Sequence, residues 1–370
     1  MTYVERGALW CLALALFLLI NPVIGTHDVR AWQEMVLIYG GISAAVVTMA
    51  GALPLSAAGL WIVYSAAAHK LPGALTSVLL LICLLAVYAL ARRHGARWLL
   101  VTIVAVNCAA VVLQLVGAWV PLLRLFAPEA SAPVFNPLHP APGLTGSTGD
   151  LACVLAMALP TLIVMRLWAV AVLAVAVLLT TDALSGISAG VAGVLVALWP
   201  QIRARYNRDW MVGFGAVGLF GVGAALEIPE IKAALADERW RVWAAAGKRW
   251  VTTHPIDGFG LGAWASGNMT MFDEAAKQAR IWTDLHFDLL QAGYDLGLIG
   301  VALIVWVWAW LALRSWRAGN FGALGGLVAL AVCQFGHFPM RLAACALVAA
   351  LVAGEAARNH EGGTAWASGS

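Results

Sequence analysis

Charged side chains are scarce in this sequence of 370 residues. Asp, Glu, Lys and Arg together make up 11% of it, whereas hydrophobic residues make up 62%. A typical soluble domain is about 25% charged, so this chain has too little charge to cover a water-exposed surface. The composition excludes soluble, disordered and fibrous proteins and predicts an integral membrane protein whose solvent is mostly lipid.

Patterns that bind metals or form disulfides are also missing. None of the six cysteines lies in a CxxC or Cys/His spacing, and all of them fall inside apolar runs, where they pack as small apolar side chains. No Walker, HExxH, GxSxG or EF-hand pattern occurs in the chain. We therefore expect no cofactor, no metal ion and no nucleic-acid partner.

Apolar runs between charges and prolines predict an all-α fold, a polytopic bundle of about twelve transmembrane helices in a single membrane domain, residues 1–370. A spanning helix needs about 20 apolar residues, and a β-barrel would instead show alternating segments of about ten residues. Three of the runs (55–68, 167–181 and 341–355) are short, and we expect them to be re-entrant or to extend into their flanks. The predicted spans are 7–25, 35–53, 55–68, 71–90, 98–120, 150–165, 167–181, 184–200, 210–226, 289–313, 321–338 and 341–355.

The distribution of basic residues predicts the orientation of these spans. With the N-terminus inside, twelve alternating spans assign eleven arginines to the cytoplasmic side and only four basic residues to the short outer loops. The positive-inside rule favours that arrangement. We therefore expect both termini in the cytoplasm and a long external loop, residues 227–285, before the tenth span.

That external loop is too aromatic to be disordered, since it carries five tryptophans (Trp240, Trp243, Trp250, Trp264 and Trp282). We predict an amphipathic helix over Glu230–Thr252, a glycine-rich turn, and a second short helix over Phe272–Ile281. Tryptophan prefers the membrane–water interface, so the loop is expected to lie on the bilayer surface.

Ionisable residues collect on the predicted outer face, where they are functional candidates because their burial near lipid is costly. His286 is flanked by Asp284 and Asp288, and a carboxylate there could orient the ring for proton transfer. The alternative is a histidine that merely caps the start of the helix. The same face carries His337 and Arg341, for which interfacial caps or side chains that reach out of the membrane are the simpler explanation.

Two further patterns lie in the external loop. Arg239 and Trp243 share one helix face, with Arg241 nearby, and guanidinium groups fit phosphate oxygens; an ordinary interfacial helix would look the same. Gly258, Gly260 and Gly262 follow His254-Pro255 without a preceding strand, so they are not a dinucleotide fingerprint. They favour a tight turn or a close approach to a ligand.

The order of these motifs resembles the C-terminal signature of the O-antigen ligase and O-antigen polymerase superfamily. The matching residues are Arg239…Trp243, His254-Pro255…Gly258-Phe259-Gly260-Leu261-Gly262, and His286-Phe287-Asp288-Leu289-Leu290-Gln291…Asp295-Leu296-Gly297. Upstream, Gly146-Ser147-Thr148-Gly149-Asp150-Leu151-Ala152 is similar to a Gly-Asn-Pro-Asn-x-Leu-Ala motif of that family. Phe287 replaces its usual asparagine, and its Ser-Arg-Gly arginine is absent at Ser185-Gly186.

The resemblance implies a glycosyltransferase of the bacterial inner membrane with its active site on the periplasmic face. It would move a glycan from a polyprenyl-diphosphate carrier to a hydroxyl of a lipid-core or glycan acceptor, as in lipopolysaccharide biosynthesis. Arg239 would bind the diphosphate and His286 would act as general base without a metal ion. Substrate-binding roles would fall to Arg241, Arg341, His337, Asp288, Gly258 and Gly260.

Two other functions are compatible with the composition. A transporter of a lipid-linked saccharide or small solute would place polar residues near the bilayer midplane, whereas here they crowd one face. A purely structural polytopic protein is the third possibility.

Overall fold

All the secondary structure in the described part of the chain is helical. The computed structural model describes residues 74–118, 141–145, 147–205, 239–264, 285, 287–337 and 339–358, with the side chains of these residues except 74–80, 239–241 and 341. Within these ranges the helices are α1 (Ala74–His94), α2 (Arg97–Leu115), α3 (Thr148–Val164), α4 (Trp168–Leu179), α5 (Leu184–Ala197), α6 (Trp199–Arg205), α7 (Arg239–Thr253), α8 (Asp288–Arg317), α9 (Phe321–Cys333) and α10 (Ala343–Ala357). A 3₁₀ turn, Pro339–Arg341, lies between α9 and α10. The predicted all-α class is confirmed for these residues, since none of them forms a strand.

Helices long and apolar enough to cross a bilayer are present, as in a membrane protein. α2 and α8 meet that length and composition individually, and α5 with α6, bent by 55° at the break between them, forms a third candidate. Eight of the twelve predicted spans contain a described helix. The other four (7–25, 35–53, 55–68 and 210–226) lie outside the described residues, so the count of twelve stays a prediction.

Helix α3 lies at the centre of the bundle. Every residue from Asp150 to Leu162 is buried, as expected of a helix that is apolar all round. Close packing on α5 and α9 depends on small residues: a Cβ on Gly193 of α5 would lie 2.8 Å from the carbonyl oxygen of Gly325 in α9. Small residues at such positions let two backbones approach, which stabilises helix pairs inside a membrane.

Polar contacts define two opposite ends of the bundle. At the first, which we name the His337 end, helices α3, α5, α8 and α10 begin and α9 finishes. At the second, the Glu355 end, α10 finishes and α2 and α9 begin. The buried Glu355 carboxylate accepts hydrogen bonds from the backbone N–H of Ala96 and, at 3.3 Å, from Nε of Arg97. Nδ2 of Asn320, just before α9, donates to the Glu355 carbonyl oxygen at 2.9 Å.

The basic residues are asymmetrically distributed between these ends. Seven arginines from the predicted cytoplasmic set are placed at or next to helix termini of the Glu355 end: Arg92, Arg93, Arg97, Arg166, Arg314, Arg317 and Arg358. The arginines that the sequence analysis assigned to several cytoplasmic loops therefore lie largely at one end of the fold. The side of the membrane that this end faces stays a prediction.

Candidate functional site

Helix α7, which lies within the predicted external loop, packs against the start of α8. Its apolar residues Val242, Trp243, Ala246 and Trp250 recur at helical spacing and form one stripe. The Trp243 indole N–H donates a hydrogen bond to the carbonyl oxygen of Leu285. Further along α7, the Trp250 ring covers Gly293 of α8, where a Cβ would come within 2.5 Å of the ring. The large Trp250 ring of α7 thus fits the space that Gly293, which has no side chain, leaves on α8.

This contact joins two motifs that are far apart in the sequence. Arg239 is the first residue of α7, one helical turn and about 6 Å along the axis before Trp243. Leu285 accepts the hydrogen bond from Trp243 and directly precedes His286 in the chain. The Arg239 side chain and His286 themselves lie outside the described atoms. What the structure establishes is that the helix beginning at Arg239 is attached to the residue before His286.

The glycine-rich segment after α7 lies along α8 through backbone hydrogen bonds. Phe259 N–H donates to the Tyr294 carbonyl oxygen and Gly260 N–H to that of Asp295, both at 2.9 Å. Gly258, Gly260 and Gly262 have φ values of +73°, +102° and +82°, which only glycine adopts readily. The glycines therefore allow both the turns of this segment and its close approach to α8.

The carboxylate of Asp295 holds the far end of the same segment. Its Oδ1 accepts a hydrogen bond from the backbone N–H of Trp264 at 3.0 Å, and its Oδ2 accepts one from the backbone N–H of Gly262 at 3.3 Å. Tyr294 packs between Phe259 and Trp264, with ring centroids 4.5 Å and 5.3 Å away. A small aromatic core thus supports the glycine segment independently of the main bundle core.

Helix α8 is broken at Gly297, contrary to the continuous span expected over 289–313. Gly297 has φ +70° and ψ −172°, far from helical values. The N–H groups of Leu298 and Ile299, which the break deprives of helical partners, donate to the carbonyl oxygens of Pro255 and Ile256 at 2.9 and 3.3 Å. A break in a membrane helix is tolerated where other groups restore its hydrogen bonds, and here the glycine segment does so.

The break also marks where α8 becomes fully apolar. Residues 296–313 contain no charged side chain and would extend over about 27 Å as a helix, close to the roughly 30 Å of a hydrocarbon core. Asp288 and Asp295 precede this stretch. The docked glycine segment and the start of α8 therefore belong at the boundary of the apolar region.

A histidine–carboxylate pair lies buried at the same end of the bundle. Nε2 of His337 is 2.9 Å from Oδ1 of Asp150, and the two residues are 9% and 1% exposed. Asp150 belongs to the first turn of α3, whose N-cap is Ser147, and a helix N-terminus favours negative charge. His337 was predicted as a substrate-binding residue. Its partner Asp150 was missed, because nothing local in the sequence connects residues 187 positions apart.

Asp288 forms a second contact to the connection between α9 and α10. Its Oδ2 accepts a hydrogen bond from the Met340 backbone N–H at 2.9 Å. Met340 is the middle residue of the 3₁₀ turn Pro339–Arg341. Asp288, one of the two carboxylates that flank His286 in the sequence, thus fixes the turn that contains Arg341.

A buried amide near Leu285 has one polar atom without a partner. Oε1 of Gln291 accepts from the Leu285 N–H at 3.1 Å, while its Nε2 donates to no atom of the described residues. Gln291 is only 3% exposed. Buried donors are rarely left unpaired, so this amide is a candidate for contact with a ligand.

Several predicted site residues can be placed only in part. Arg239 and Arg241 are in α7 and Arg341 is in the 3₁₀ turn, by backbone position alone, and His286 and Asp284 lie outside the described residues. The second predicted loop helix, 272–281, also lies outside them. His254 is partly exposed, with Nδ1 3.6 Å from the exposed carboxylate of Asp257.

Within the described ranges, no group of three or more His, Cys, Asp or Glu side chains is arranged to bind a metal ion. In comparisons with known proteins, no protein-family model and no curated protein sequence matches this chain.

Proposed function

We propose that this protein is a glycosyltransferase of the bacterial inner membrane, of the O-antigen ligase or polymerase type. It transfers an oligosaccharide or polysaccharide from a polyprenyl-diphosphate carrier to an acceptor hydroxyl, and the His337 end of the bundle faces the periplasm. The proposal rests on the order of the sequence motifs and on their arrangement in the fold.

The observation that carries the proposal is the Trp243–Leu285 hydrogen bond. It attaches the helix that begins at Arg239 to the residue before His286, although the two bonded residues are 42 positions apart. The glycine segment, the third motif, docks on α8 beside them. The described parts of the three motifs thus lie at one end of the bundle, next to the start of the apolar stretch, which supports the proposal.

The proposed chemistry is a direct displacement at the anomeric carbon. The acceptor oxygen forms the new bond while the bond to the carrier's phosphate oxygen breaks, and that electron pair leaves with the diphosphate. Arg239, with Arg241 and Arg341, binds the diphosphate and stabilises the charge that develops on it. His286 takes the proton from the acceptor hydroxyl. The anomeric centre is inverted, and no metal ion takes part.

The remaining predicted residues contact the saccharide in this proposal. Asp288 begins α8, the connection that carries His337 is hydrogen-bonded to Asp288 through Met340, and the segment with Gly258 and Gly260 is hydrogen-bonded to Tyr294 and Asp295. The Nε2 of the buried Gln291, which donates to no atom of the described residues, gives this region an additional hydrogen-bond donor. Ligases, polymerases and protein-glycosylating enzymes differ in the acceptor, which is a lipid-core sugar, another glycan repeat or a protein.

The break in α8 raises a second candidate, a transporter of a lipid-linked saccharide or small solute. Transporters often bind substrate at discontinuous helices near the bilayer midplane, through freed backbone groups. In α8, however, the freed N–H groups of Leu298 and Ile299 are already bonded to Pro255 and Ile256. The break also lies at one end of the apolar stretch and not at its centre, which favours the transferase.

Transfer by purified protein in proteoliposomes tests the proposal. The substrates are the cell's own lipid-linked donor and its lipid-core acceptor. His286→Ala should reduce transfer by at least about 100-fold, as expected for loss of a general base, whereas His94→Gln at the Glu355 end should not. Equal transfer by the wild type and His286→Ala would exclude the proposed base.

Arg239→Lys tests the diphosphate contact. Lysine keeps the charge but lacks the planar guanidinium group that binds two phosphate oxygens, so we expect the KM for donor to rise. The control is Arg317→Lys, at the exposed far end of α8, which should leave the KM for donor unchanged. Unimpaired transfer in Arg239→Lys would argue against bidentate binding there. Transfer that is abolished by EDTA and restored by a divalent cation would overturn the metal-independent mechanism.

Accumulation of donor in cells separates the two candidates. In cells expressing His286→Ala, a transferase defect leaves lipid-linked donor on the outer face of the membrane. A transporter defect leaves it on the cytoplasmic face.

A further inference from the structure

The turn after α3 holds an arginine in a backbone conformation that favours glycine. Met165 caps the end of the helix, and Arg166 follows it with φ +57°. The Arg166 N–H donates a hydrogen bond to the Ile163 carbonyl oxygen, and the Leu167 N–H donates one to the Leu162 carbonyl oxygen, both at 3.0 Å. This pattern ends a helix with a left-handed residue, which is usually glycine. An arginine there adds backbone strain, so the turn alone does not account for it.

Glycine occupies the equivalent position after other helices of the same bundle. Gly117 follows the capping residue of α2 with φ +71°, and Gly319 follows that of α8 with φ +66°. Arg166 is exposed, and its guanidinium group forms no ion pair or hydrogen bond with any of the described residues. Strained residues persist where their side chains have a function elsewhere. The Arg166 guanidinium group is therefore a candidate for contact with an external anion.

A partly open cleft next to this turn brings a second guanidinium group close to it. Met165 and Arg97 both line the cleft, together with Asn320 and Glu355, and its volume is about 210 Å³. A pocket for a drug-sized ligand measures roughly 300–1,000 Å³, so this cleft suits one small group such as a phosphate. The Arg97 side chain is 31% exposed, and its Nε is 3.3 Å from the Glu355 carboxylate. That bond fixes the position of the guanidinium group at the mouth of the cleft.

The charge around this cleft is strongly positive. Seven arginines lie at or next to helix termini of the Glu355 end. Within the described ranges, the only carboxylate at this end is that of Glu355, which is 2% exposed. The described chain therefore offers these arginines no exposed acidic side chain, and an anionic group from outside it is the complementary partner.

Exposed tryptophans and an apolar stripe extend from the same corner along the bundle. Trp168 begins α4 and Trp98 is the second residue of α2, and they are 55% and 62% exposed. The two helices pack against each other, and both begin at the Glu355 end. Val172, Val175 and Leu179 follow Trp168 at helical spacing and are also exposed. We name these four exposed residues of α4 the α4 stripe.

The α4 stripe has the length of one lipid leaflet. A helix from Trp168 to Leu179 extends about 17 Å, and half of a hydrocarbon core is about 15 Å thick. Tryptophan prefers the membrane–water interface, which puts the Trp168 end of the stripe at headgroup depth, with Arg166 beyond it. A phospholipid presents its groups in the same order, a phosphate followed by an apolar chain.

We propose that this corner of the Glu355 end binds an anionic phospholipid, whose phosphate contacts Arg166 and Arg97 and whose acyl chain lies along the α4 stripe. Guanidinium groups and phosphate oxygens form strong, charge-assisted hydrogen bonds, and basic pockets between membrane helices bind anionic headgroups in this way. The site lies at the end opposite to the proposed transfer site, and its existence does not depend on the transfer reaction.

Native mass spectrometry of the purified full-length protein measures this binding. Protein in neutral detergent micelles is titrated with phosphatidylglycerol or, as the zwitterionic probe, with phosphatidylcholine of the same chain length. The first phosphatidylglycerol should bind severalfold more tightly than phosphatidylcholine. Arg166→Gln should weaken its binding about fivefold, the contribution of one arginine near an anionic surface, and leave phosphatidylcholine binding unchanged. Arg317→Gln is the matched control, because Arg317 is exposed beside the exposed Trp316 at the same end but does not line the cleft.

Three results of that titration would overturn the inference. The first is equal affinity of the wild type for the two lipids. The second is an equal loss in Arg166→Gln and Arg317→Gln, which would show diffuse attraction to the whole arginine-rich end. The third is displacement of phosphatidylglycerol by millimolar inorganic phosphate, which would show that the cleft binds free phosphate and that the acyl chain adds nothing.

Arg166→Gly separates lipid binding from a purely structural role at the end of α3. Glycine relieves the left-handed strain, so the Tm in phosphatidylcholine micelles should rise by a few degrees, while phosphatidylglycerol binding falls as in Arg166→Gln. An arginine that only interacts with the negative end of the α3 dipole predicts the opposite. Both variants would then have a lower Tm and unchanged lipid binding, and the inference would be wrong.

A phosphatidylglycerol with a photoreactive diazirine on its acyl chain locates the bound lipid. Cross-links should concentrate in the peptide that contains residues 168–179, and Arg166→Gln should reduce them about fivefold while Arg317→Gln does not. Cross-links spread evenly over the exposed faces of the bundle, including that of α8, would show ordinary solvation by lipid and overturn the proposed site.

Discussion

Trp243 donates its indole N–H to the carbonyl oxygen of Leu285, the residue immediately before His286. Both residues are buried, and the Trp243 ring also contacts that of Phe287, with centroids 5.2 Å apart. The residues on either side of His286 are thus held by one tryptophan of α7. The position of α7 and the position of the proposed base are therefore coupled.

Trp243→Phe should test this coupling. Phenylalanine keeps an aromatic ring against Phe287 but removes the donor to Leu285, and a single buried hydrogen bond contributes about 0.5–1.5 kcal/mol to stability. We expect a small fall in Tm and a larger, about tenfold, fall in kcat/KM for glycan transfer, because misplaced catalytic groups are costly. Trp316→Phe, at an exposed position near the Glu355 end, is the control. An effect on Tm alone would show that the bond only stabilises the fold.

Gly297→Ala should destabilise the protein more than an ordinary glycine substitution does. Gly297 has φ +70°, and a Cβ there would collide with the Ile256 and Asp257 backbone. Gly319 offers a control for positive φ without crowding, since it has φ +66° and nothing lies within 4 Å of the place that a Cβ would take. Gly319→Ala should lose about 1 kcal/mol because of its positive φ. Gly297→Ala should lose several kcal/mol more, because its ψ of −172° lies in a region that essentially only glycine adopts and because its Cβ has no room.

Reversible unfolding in mixed micelles measures that difference. Similar losses of unfolding free energy in Gly297→Ala and Gly319→Ala would mean that the glycine segment does not dock as closely on α8 as described. Proteolysis within residues 254–264 should also be faster in Gly297→Ala alone.

Much of the helical architecture could be predicted from composition, because a membrane helix must be apolar along its length. The run 98–120 corresponds to α2 and the run 321–338 to α9, which ends earlier, at Cys333, where the chain turns towards His337. The break at Gly297 could not be predicted, since the apolar pattern of 289–313 is continuous across it. Only the donors and acceptors of a distant segment make the break stable.

The motifs of the candidate site could be read from the sequence, but the contacts between them could not. Residue type and order predicted Arg239, His286 and His337 as site residues and local spacing predicted Asp288, and these roles stay predictions. The partner of His337 and the contact from Asp288 to Met340 depend on how α3, α8 and α9 pack together. Asp150 could have been noticed as a lone carboxylate at the start of an otherwise apolar run, yet its partner could not.

Substitution of Asp288 separates its two roles. Asparagine retains an oxygen that can accept from the Met340 N–H, so Asp288→Asn should keep a Tm near that of the wild type. It loses the negative charge that could orient His286 or bind the saccharide, and we expect transfer to fall about tenfold or more. Asp288→Ala should lose both stability and transfer. Full transfer in Asp288→Asn would limit Asp288 to its contact with Met340.

Glu355→Gln should affect stability without affecting catalysis. The carboxylate is 2% exposed and accepts hydrogen bonds from Ala96 and Arg97 at the end opposite to the proposed site. A neutral amide weakens these charge-assisted bonds, with an expected loss of about 1–3 kcal/mol. Transfer measured per folded molecule and the KM for donor should be unchanged. A raised KM would show that the Glu355 end contributes to substrate binding.

Cysteine labelling in intact spheroplasts should show which end of the bundle faces the periplasm. Ile256 is an exposed residue of the glycine segment and Arg317 is exposed at the Glu355 end, while the native cysteines among the described residues are all buried. A membrane-impermeant maleimide should label Ile256→Cys in spheroplasts and Arg317→Cys only after lysis, because the arginine-rich end is expected in the cytoplasm. The opposite labelling pattern would place the proposed site in the cytoplasm. Transfer onto a periplasmic acceptor would then be impossible, however well the individual residues were arranged for it.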